Sequence, residues 1–150
     1  MLDRKLKIAY PLLGFLLLTF PGFSALAVQP ATFHAVMVYA SDAAEKPDRR
    51  IAGITRQLQR VFKFKHYKLA GQQNATIKLP GEGRLVLGGG FSLSISAKPV
   101  EGGKVRTQVV WKKGGSTLIN TQVVLSKTTP TIIGGHSHRS GKMIVTLRLK

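Results

Sequence analysis

Apolar and polar residues alternate with a period of two through much of the second half of the chain. In the segment FSLSISAK, residues 91–98, every odd-numbered residue is apolar and the residues between them are Ser or Lys. The same alternation returns in residues 104–112, 119–125 and 143–149. Because successive side chains of a strand project to opposite faces, this pattern predicts strands with one apolar face and one polar face.

Residues 104–126 are predicted to form a β-hairpin with its loop at residues 113–115. This register places Val109 opposite Ile119 and keeps apolar residues together on one face. A shift of one residue would put Val109 against Asn120 and mix the two faces. The sequence therefore favours a bulged loop in which Gly takes the position that needs a positive φ.

Turn residues recur at short intervals between the alternating segments, which predicts an antiparallel meander of about five strands in the C-terminal half. Residues 32–40, TFHAVMVYA, form a further predicted strand that is apolar on both faces. Such a strand is typical of the centre of a sheet. His34 lies within it and is expected to be a hydrogen-bonded core residue rather than a ligand or a base.

One helix is predicted between residues 49 and 62, with Asp48 as its N-cap. Its apolar residues follow the spacing of one helical face: Ile51, Ile54, Leu58, Val61 and Phe62. The predicted fold class is therefore α+β, an antiparallel β-meander of about five to seven strands with one basic amphipathic helix packed on its apolar face.

Basic residues dominate residues 49–81, which hold eight Lys and Arg and no acid. Four of them fall on the helix side opposite the apolar face, and two more carry positive charge into the next predicted strand. An ordinary solvated helix face mixes Glu with Lys, so one-sided charge favours an anionic partner over simple solvation. The candidate anion-binding residues are Arg49, Arg56, Arg60, Lys63, Lys65 and Lys68.

Residues 1–27 have the parts of a secretory signal peptide. Three basic residues precede an apolar run of 13 residues, and Ala25-Leu26-Ala27 supplies the small residues that signal peptidase accepts. The run is shorter than the roughly 20 residues of a spanning helix, which favours cleavage after Ala27 over a retained anchor. No later segment is expected to span a bilayer. Residues 28–150 are thus predicted to be a single exported domain, periplasmic or extracellular.

Residues 28–150 carry a strong positive charge. Loss of residues 1–27 removes three of the 23 basic residues and one of the six acids, which leaves 20 basic and five acidic side chains and a net charge of +15. The absence of Cys excludes disulfides and thiolate chemistry. Such a charge favours an anionic polymer, a lipid headgroup or an acidic protein as partner, and the alternative is that it serves only solubility.

Residues for catalysis are sparse, and no cofactor is expected. Of the five acids, three lie in or beside one loop and two lie in Gly-rich turns, which disfavours a hydrolase with paired carboxylates. His136 and His138 would project to one side of an extended segment, as two metal ligands would. They leave a metal-dependent hydrolase as an alternative, although a site needs three or four ligands and the neighbouring residues are basic.

A sequence-nonspecific nucleic-acid binder is a second alternative. Sheets that bind single strands place aromatic residues among basic ones on their open face. Phe91 and Trp111 fall instead on the apolar faces of their predicted strands. The positive surface therefore has phosphate-binding character without base stacking, and nucleic acid is disfavoured relative to envelope anions.

Residues 121–135, TQVVLSKTTPTIIGG, resemble the strand-turn-strand signature of the secretin family, the outer-membrane rings of bacterial secretion and pilus systems. The chain is too short for a ring subunit, and the turn lacks the usual Asn-Gly or Asp-Gly. The resemblance implies a small envelope protein that works beside such machinery. Together these features favour a non-enzymatic, exported cell-envelope protein that binds an anionic envelope component or acts as an accessory in envelope or secretion assembly.

Overall fold

The computed structural model describes residues 28–150, so the predicted signal peptide and its cleavage after Ala27 lie outside the described residues. A 3-10 turn, Arg49–Ile51, leads directly into helix α1, Ala52–Val61. The eight strands are β1 (Gln29–Ser41), β2 (His66–Leu79), β3 (Gly81–Gly88), β4 (Phe91–Val100), β5 (Lys104–Lys113), β6 (Ser116–Leu125), β7 (Thr131–His138) and β8 (Gly141–Leu149).

The strands form two antiparallel sheets of four strands each. Sheet A has the order β2-β1-β8-β7, and sheet B has the order β3-β4-β5-β6. About 67% of the described residues are in strands, and the helical segment is 13 residues long. The predicted α+β class, with one sheet of five to seven strands, is therefore wrong, because the described chain is a mostly β protein of two packed sheets.

The largest core of the described chain lies between the two sheets and not between a sheet and the helix. Trp111, Phe91 and Leu93 of sheet B pack against Phe33 and Met37 of sheet A, and all five are at most 1% exposed. The apolar face of the meander is thus covered by the other sheet. The helix lies on the opposite side of sheet A and does not touch this core.

Strand β1 is apolar on both faces because each face is covered by a different layer. It pairs with β2 on one side and with β8 on the other, so it lies inside sheet A as predicted. Its residues Phe33 and Met37 enter the core between the sheets, whereas Val36 and Val38 lie under the helix. A strand that packed against only one layer would need only one apolar face.

Helix α1 docks on sheet A through Leu58, which is fully buried, and through Ile51 in the preceding turn. The side chain of Asp48 accepts a hydrogen bond from the Arg50 N–H, which confirms the predicted N-cap. Val61 was predicted to lie on the apolar face but is 61% exposed, because the helix ends there and the chain turns towards β2.

The β5–β6 hairpin forms with the predicted faces but in a different register. Val109 lies opposite Thr121 and not opposite Ile119, which pairs with Trp111. Lys113 pairs with Ser116, so the connection is the two-residue turn at residues 114–115, and a bulge follows near the turn. A shift of two residues keeps every side chain on its face, so the alternating pattern cannot distinguish these registers.

Candidate functional site

One groove brings together part of the predicted anion-binding set. It lies between the start of the helix and the start of β2, and its volume is about 340 Å³. Arg49, Arg56, Lys65 and His66 supply its basic side chains, Asp48 is the one acid of residues 28–150 that lines it, and we call this surface the basic groove. Arg49 comes from the 3-10 turn, Arg56 from the next turn of α1, and Lys65 from the residue before β2. The three cations are exposed.

The other three predicted residues lie outside the basic groove. Arg60 is on the last turn of α1, and Lys63 follows the end of the helix, so Lys63 is not held by helical geometry. Lys68 is in β2 and lines a neighbouring groove together with Arg49. Its Nζ lies 4.0 Å from the Glu45 carboxylate, and this pair is exposed to solvent.

Two carboxylates at the groove, those of Asp48 and Asp42, accept hydrogen bonds from backbone N–H groups. Asp48 accepts hydrogen bonds from the N–H of Arg50, at 3.1 Å, and from the N–H of Leu69, at 3.0 Å. It also accepts from Nε and Nη2 of Arg50, at 2.9 and 2.7 Å. Asp42 accepts from the N–H of Lys65, at 3.0 Å. These carboxylates therefore hold the 42–50 segment against the start of β2.

The ionisation of Asp48 is strongly favoured. The hydrogen bond from the Arg50 side chain, followed by that from the Leu69 N–H, holds the pKa of Asp48 far below its ordinary value of 3.8. The same pair raises the pKa of Arg50. The charge of Asp48 is thus balanced by Arg50 and leaves the charges of the basic groove uncompensated.

Among residues 28–150, Arg50–Asp48 and Lys68–Glu45 are the only ion pairs. Arg49, Arg56 and Lys65 consequently face solvent without an acidic partner in the described chain. Charges of one sign along a concave surface raise the local concentration of oppositely charged ligands. Arg side chains add a planar fork of donors that matches phosphate, sulfate and carboxylate groups.

Tyr67 forms part of the wall of the basic groove and fixes its shape. Its hydroxyl donates to the carbonyl oxygen of Phe62, across the connection between the helix and β2. Burial raises the pKa of Tyr67, so the hydroxyl keeps its proton at neutral pH and the bond persists. The wall is therefore neutral, and the charge of the groove comes from Arg49, Arg56 and Lys65.

A second basic surface lies on the outer face of sheet B. Lys98 and Arg106 are direct neighbours across β4 and β5, and Arg84 and Lys112 lie further along the same face. Ser, Gln, Asn and exposed Val side chains lie between them, and Glu82 is on the same face. This face is open and carries no aromatic ring, since the rings of Phe91 and Trp111 are in the core, as the sequence predicted.

His136 and His138 lie near the core at one end of the sheets. His136 meets Trp111 edge-on at 6.4 Å between ring centroids, and His138 meets Phe91 at 6.0 Å. Burial, followed by the positive charge of Lys113, lowers the pKa of His138. In the part of the chain that the structure describes, no three His, Cys, Asp or Glu side chains gather closely enough to hold a metal ion.

No helix between residues 28 and 150 combines the length and the hydrophobicity that crossing a bilayer requires. None of the protein-family models, curated proteins or solved structures compared with the chain matches it. The secretin-like segment, residues 121–135, runs from β6 of sheet B to β7 of sheet A. Its resemblance to that family stays a prediction.

Sequence reasoning missed a second groove on the other side of helix α1. His34 lines this groove, and its Nδ1–H donates a hydrogen bond to Oδ1 of Asn74, at 2.7 Å. Arg148 lies directly opposite His34 in the β1–β8 ladder and lines the same groove. The alternation of β8 places Arg148 on the polar side, but nothing in the local sequence indicates that β8 pairs with β1.

Proposed function

We propose that this chain is a small exported cell-envelope protein, without enzymatic activity, that binds an anionic envelope component through the basic groove. The observation that carries the proposal is the set of three exposed cations, Arg49, Arg56 and Lys65, in one groove whose nearby acids are occupied by backbone N–H groups and by Arg50. The three cations are therefore available to bind an external anion.

The expected ligand is a repeating anion or a lipid headgroup. The three cations of the groove are exposed, so each contact contributes modestly and several must act together. A polymer or a membrane surface presents many anionic groups at once, whereas a single small anion would satisfy only one or two of the cations. A net charge of +15 on residues 28–150 further accelerates encounter with such a surface.

If the chain is instead an accessory in envelope or secretion assembly, its anionic partner is an acidic protein. Nucleic acid fits less well, because the aromatic rings of sheet B are in the core and offer no stacking surface.

Export of the protein is the premise that makes envelope anions the relevant ligands. N-terminal sequencing of the protein recovered from outside the cytoplasm should begin at Val28.

The experiment compares binding of lipopolysaccharide, anionic liposomes, heparin, an acidic protein and duplex DNA at one ionic strength. The wild type is measured beside a groove variant in which Arg49, Arg56 and Lys65 are all replaced by Gln. We expect an envelope-type anion to bind most tightly and the groove variant to lose most of that binding. Tightest binding to duplex DNA, or a groove variant that binds like the wild type, would contradict the proposal.

A further inference from the structure

The second groove, which we call the His34 groove, has a volume of about 360 Å³ and lies beside the first turn of α1 on the outer face of sheet A. His34 and Arg148, direct neighbours across β1 and β8, line its floor, and Asn74 of β2 pairs with His34 on the other side. The loop that ends at Pro130 forms the opposite wall. Nε2 of Gln57 donates to the Pro130 carbonyl oxygen at 2.9 Å and ties this wall to the helix.

The charge of the His34 groove is unbalanced. Arg50 and Arg148 are its two Arg residues, and no acid lines it. The charge of Arg50 is balanced by Asp48 at 2.7 Å. Arg148 is half-buried and has no ion-pair partner within residues 28–150. Partly burying an unpaired guanidinium carries a free-energy cost that an anionic ligand would remove.

Polar side chains line the groove beside Arg148. Thr146 is 2% exposed and lines the groove. The hydrogen bond from Nδ1–H to Asn74 Oδ1 fixes the ring of His34, and Nε2 of the neutral ring is then an acceptor. Gln72 adds an amide at the edge. The groove is therefore lined by donors on Arg148, Thr146 and Gln72 and by one acceptor, Nε2 of His34.

Gly53 leaves one side of this groove open. It lies within α1, where Gly lowers helix stability by about 1 kcal/mol relative to Ala. A Cβ atom at this position would meet nothing within 4 Å, so neither backbone geometry nor packing requires Gly. Gly53 lines the His34 groove and leaves room there.

From these observations we infer that the His34 groove binds a small phosphate monoester with a short apolar body. The phosphate oxygens accept from Arg148, Gln72 and Thr146, and a P–OH group donates to Nε2 of His34. The apolar body packs on Val36, Ile51 and Ile54, which line the same groove. A carboxylate offers two oxygens and no donor, so it fits this set of partners less well. The volume is at the lower end of small-molecule sites.

The test is calorimetric titration of the full chain with hexyl phosphate, with hexanoate as the matched carboxylate and inorganic phosphate as the head alone. We expect hexyl phosphate to bind at least tenfold more tightly than either. Equal affinity for hexanoate would overturn the phosphate assignment, and absence of binding would overturn the site.

Variants then locate the binding. Arg148→Gln should weaken hexyl phosphate at least tenfold, and Arg148→Lys, which keeps the charge without the fork, should weaken it less and serves if the Gln variant does not fold. Gly53→Phe should fill the groove and abolish the binding of hexyl phosphate. The triple Gln variant of the basic groove should also bind like the wild type, which separates this site from the proposed function. An Arg148→Gln variant with unchanged affinity would contradict the inference.

Discussion

The carboxylate of Asp48 accepts a hydrogen bond from the backbone N–H of Leu69, 21 residues further along the chain, at 3.0 Å. The same carboxylate caps the helical segment at Arg50 and pairs with its guanidinium. One side chain therefore joins the start of the helix to β2 and sets the position of Arg49, the next residue, in the basic groove.

Replacement of Asp48 by Asn should lower the melting temperature of the protein. Asn can still accept one hydrogen bond at the cap but loses the charge that pairs with Arg50 and the second oxygen that accepts from Leu69. Asp48→Ala should lower it further. Thermal denaturation at neutral pH measures both, with Glu82→Gln as a control because Glu82 is exposed and forms no ion pair within residues 28–150. Equal melting temperatures for all three variants would contradict this role.

Acid should remove the contribution of Asp48. Its folded-state pKa is lowered from 3.8, so the carboxylate binds its proton less readily in the folded chain than in the unfolded chain. The stability that it provides is complete above about pH 5 and is lost as the pH falls below about 4. The free energy of unfolding, measured from pH 7 to pH 2, should therefore fall less steeply in Asp48→Asn than in the wild type. Parallel curves would show that other groups control acid stability.

Two Gly→Ala substitutions should have opposite signs. Gly71 lies where β2 approaches β3, and a Cβ there would overlap the carbonyl oxygen of Leu87. Gly71→Ala must push the two strands apart and should lower the free energy of unfolding by about 1–3 kcal/mol. Gly53→Ala adds a Cβ in open space within the helix and should raise it by about 1 kcal/mol. Chemical denaturation measures both, and a stabilising Gly71→Ala would refute the close approach.

The docking of the helix should depend on Leu58 and not on Val61. Leu58 is fully buried between α1 and sheet A, so Leu58→Ala should lower the free energy of unfolding by about 2–5 kcal/mol. Val61 is 61% exposed, and Val61→Ala should change it by less than about 0.5 kcal/mol. Urea denaturation distinguishes these values. A large loss at Val61 would mean that the helix continues further than Val61.

The alternating pattern predicted the faces of the strands but not their arrangement in sheets. It identified β1 as central, because residues 33–40 are apolar on both faces, yet it could not say that one face meets a helix and the other a second sheet. Strand β2 was only partly predicted. Its residues 71–76 are small or polar, and their strand conformation comes from pairing with β1, which local sequence does not encode.

The basic groove was likewise predictable only in part. Helical spacing identified Arg49 and Arg56 as neighbours on the polar side, and the one-sided charge of residues 49–81 drew attention to them. Lys65 lies near Arg49 and Arg56 only because of the path that the chain takes after the helix. The carboxylate of Asp42 accepts a hydrogen bond from the N–H of Lys65, and local sequence does not indicate this contact either. The pairing of His34 with Arg148 joins strands 114 positions apart, which spacing arguments cannot reach.

If Arg49, Arg56 and Lys65 act together on an anionic ligand, they should determine how strongly binding depends on salt. The dissociation constant for heparin is measured between low and physiological salt for three proteins. These are the wild type, the triple Gln variant of the basic groove, and a control in which Lys98, Arg106 and Lys112 on the outer face of sheet B are replaced by Gln. Both variants lose the same charge.

Each ion contact that is lost should reduce the slope of log affinity against log salt by about 0.7 to 0.9. We expect the groove variant to lose about two to three units of slope, whereas the control should keep the slope of the wild type and bind slightly more weakly. Equal slopes for the two variants would contradict the proposed role of the groove, because binding would then follow the net charge of the protein.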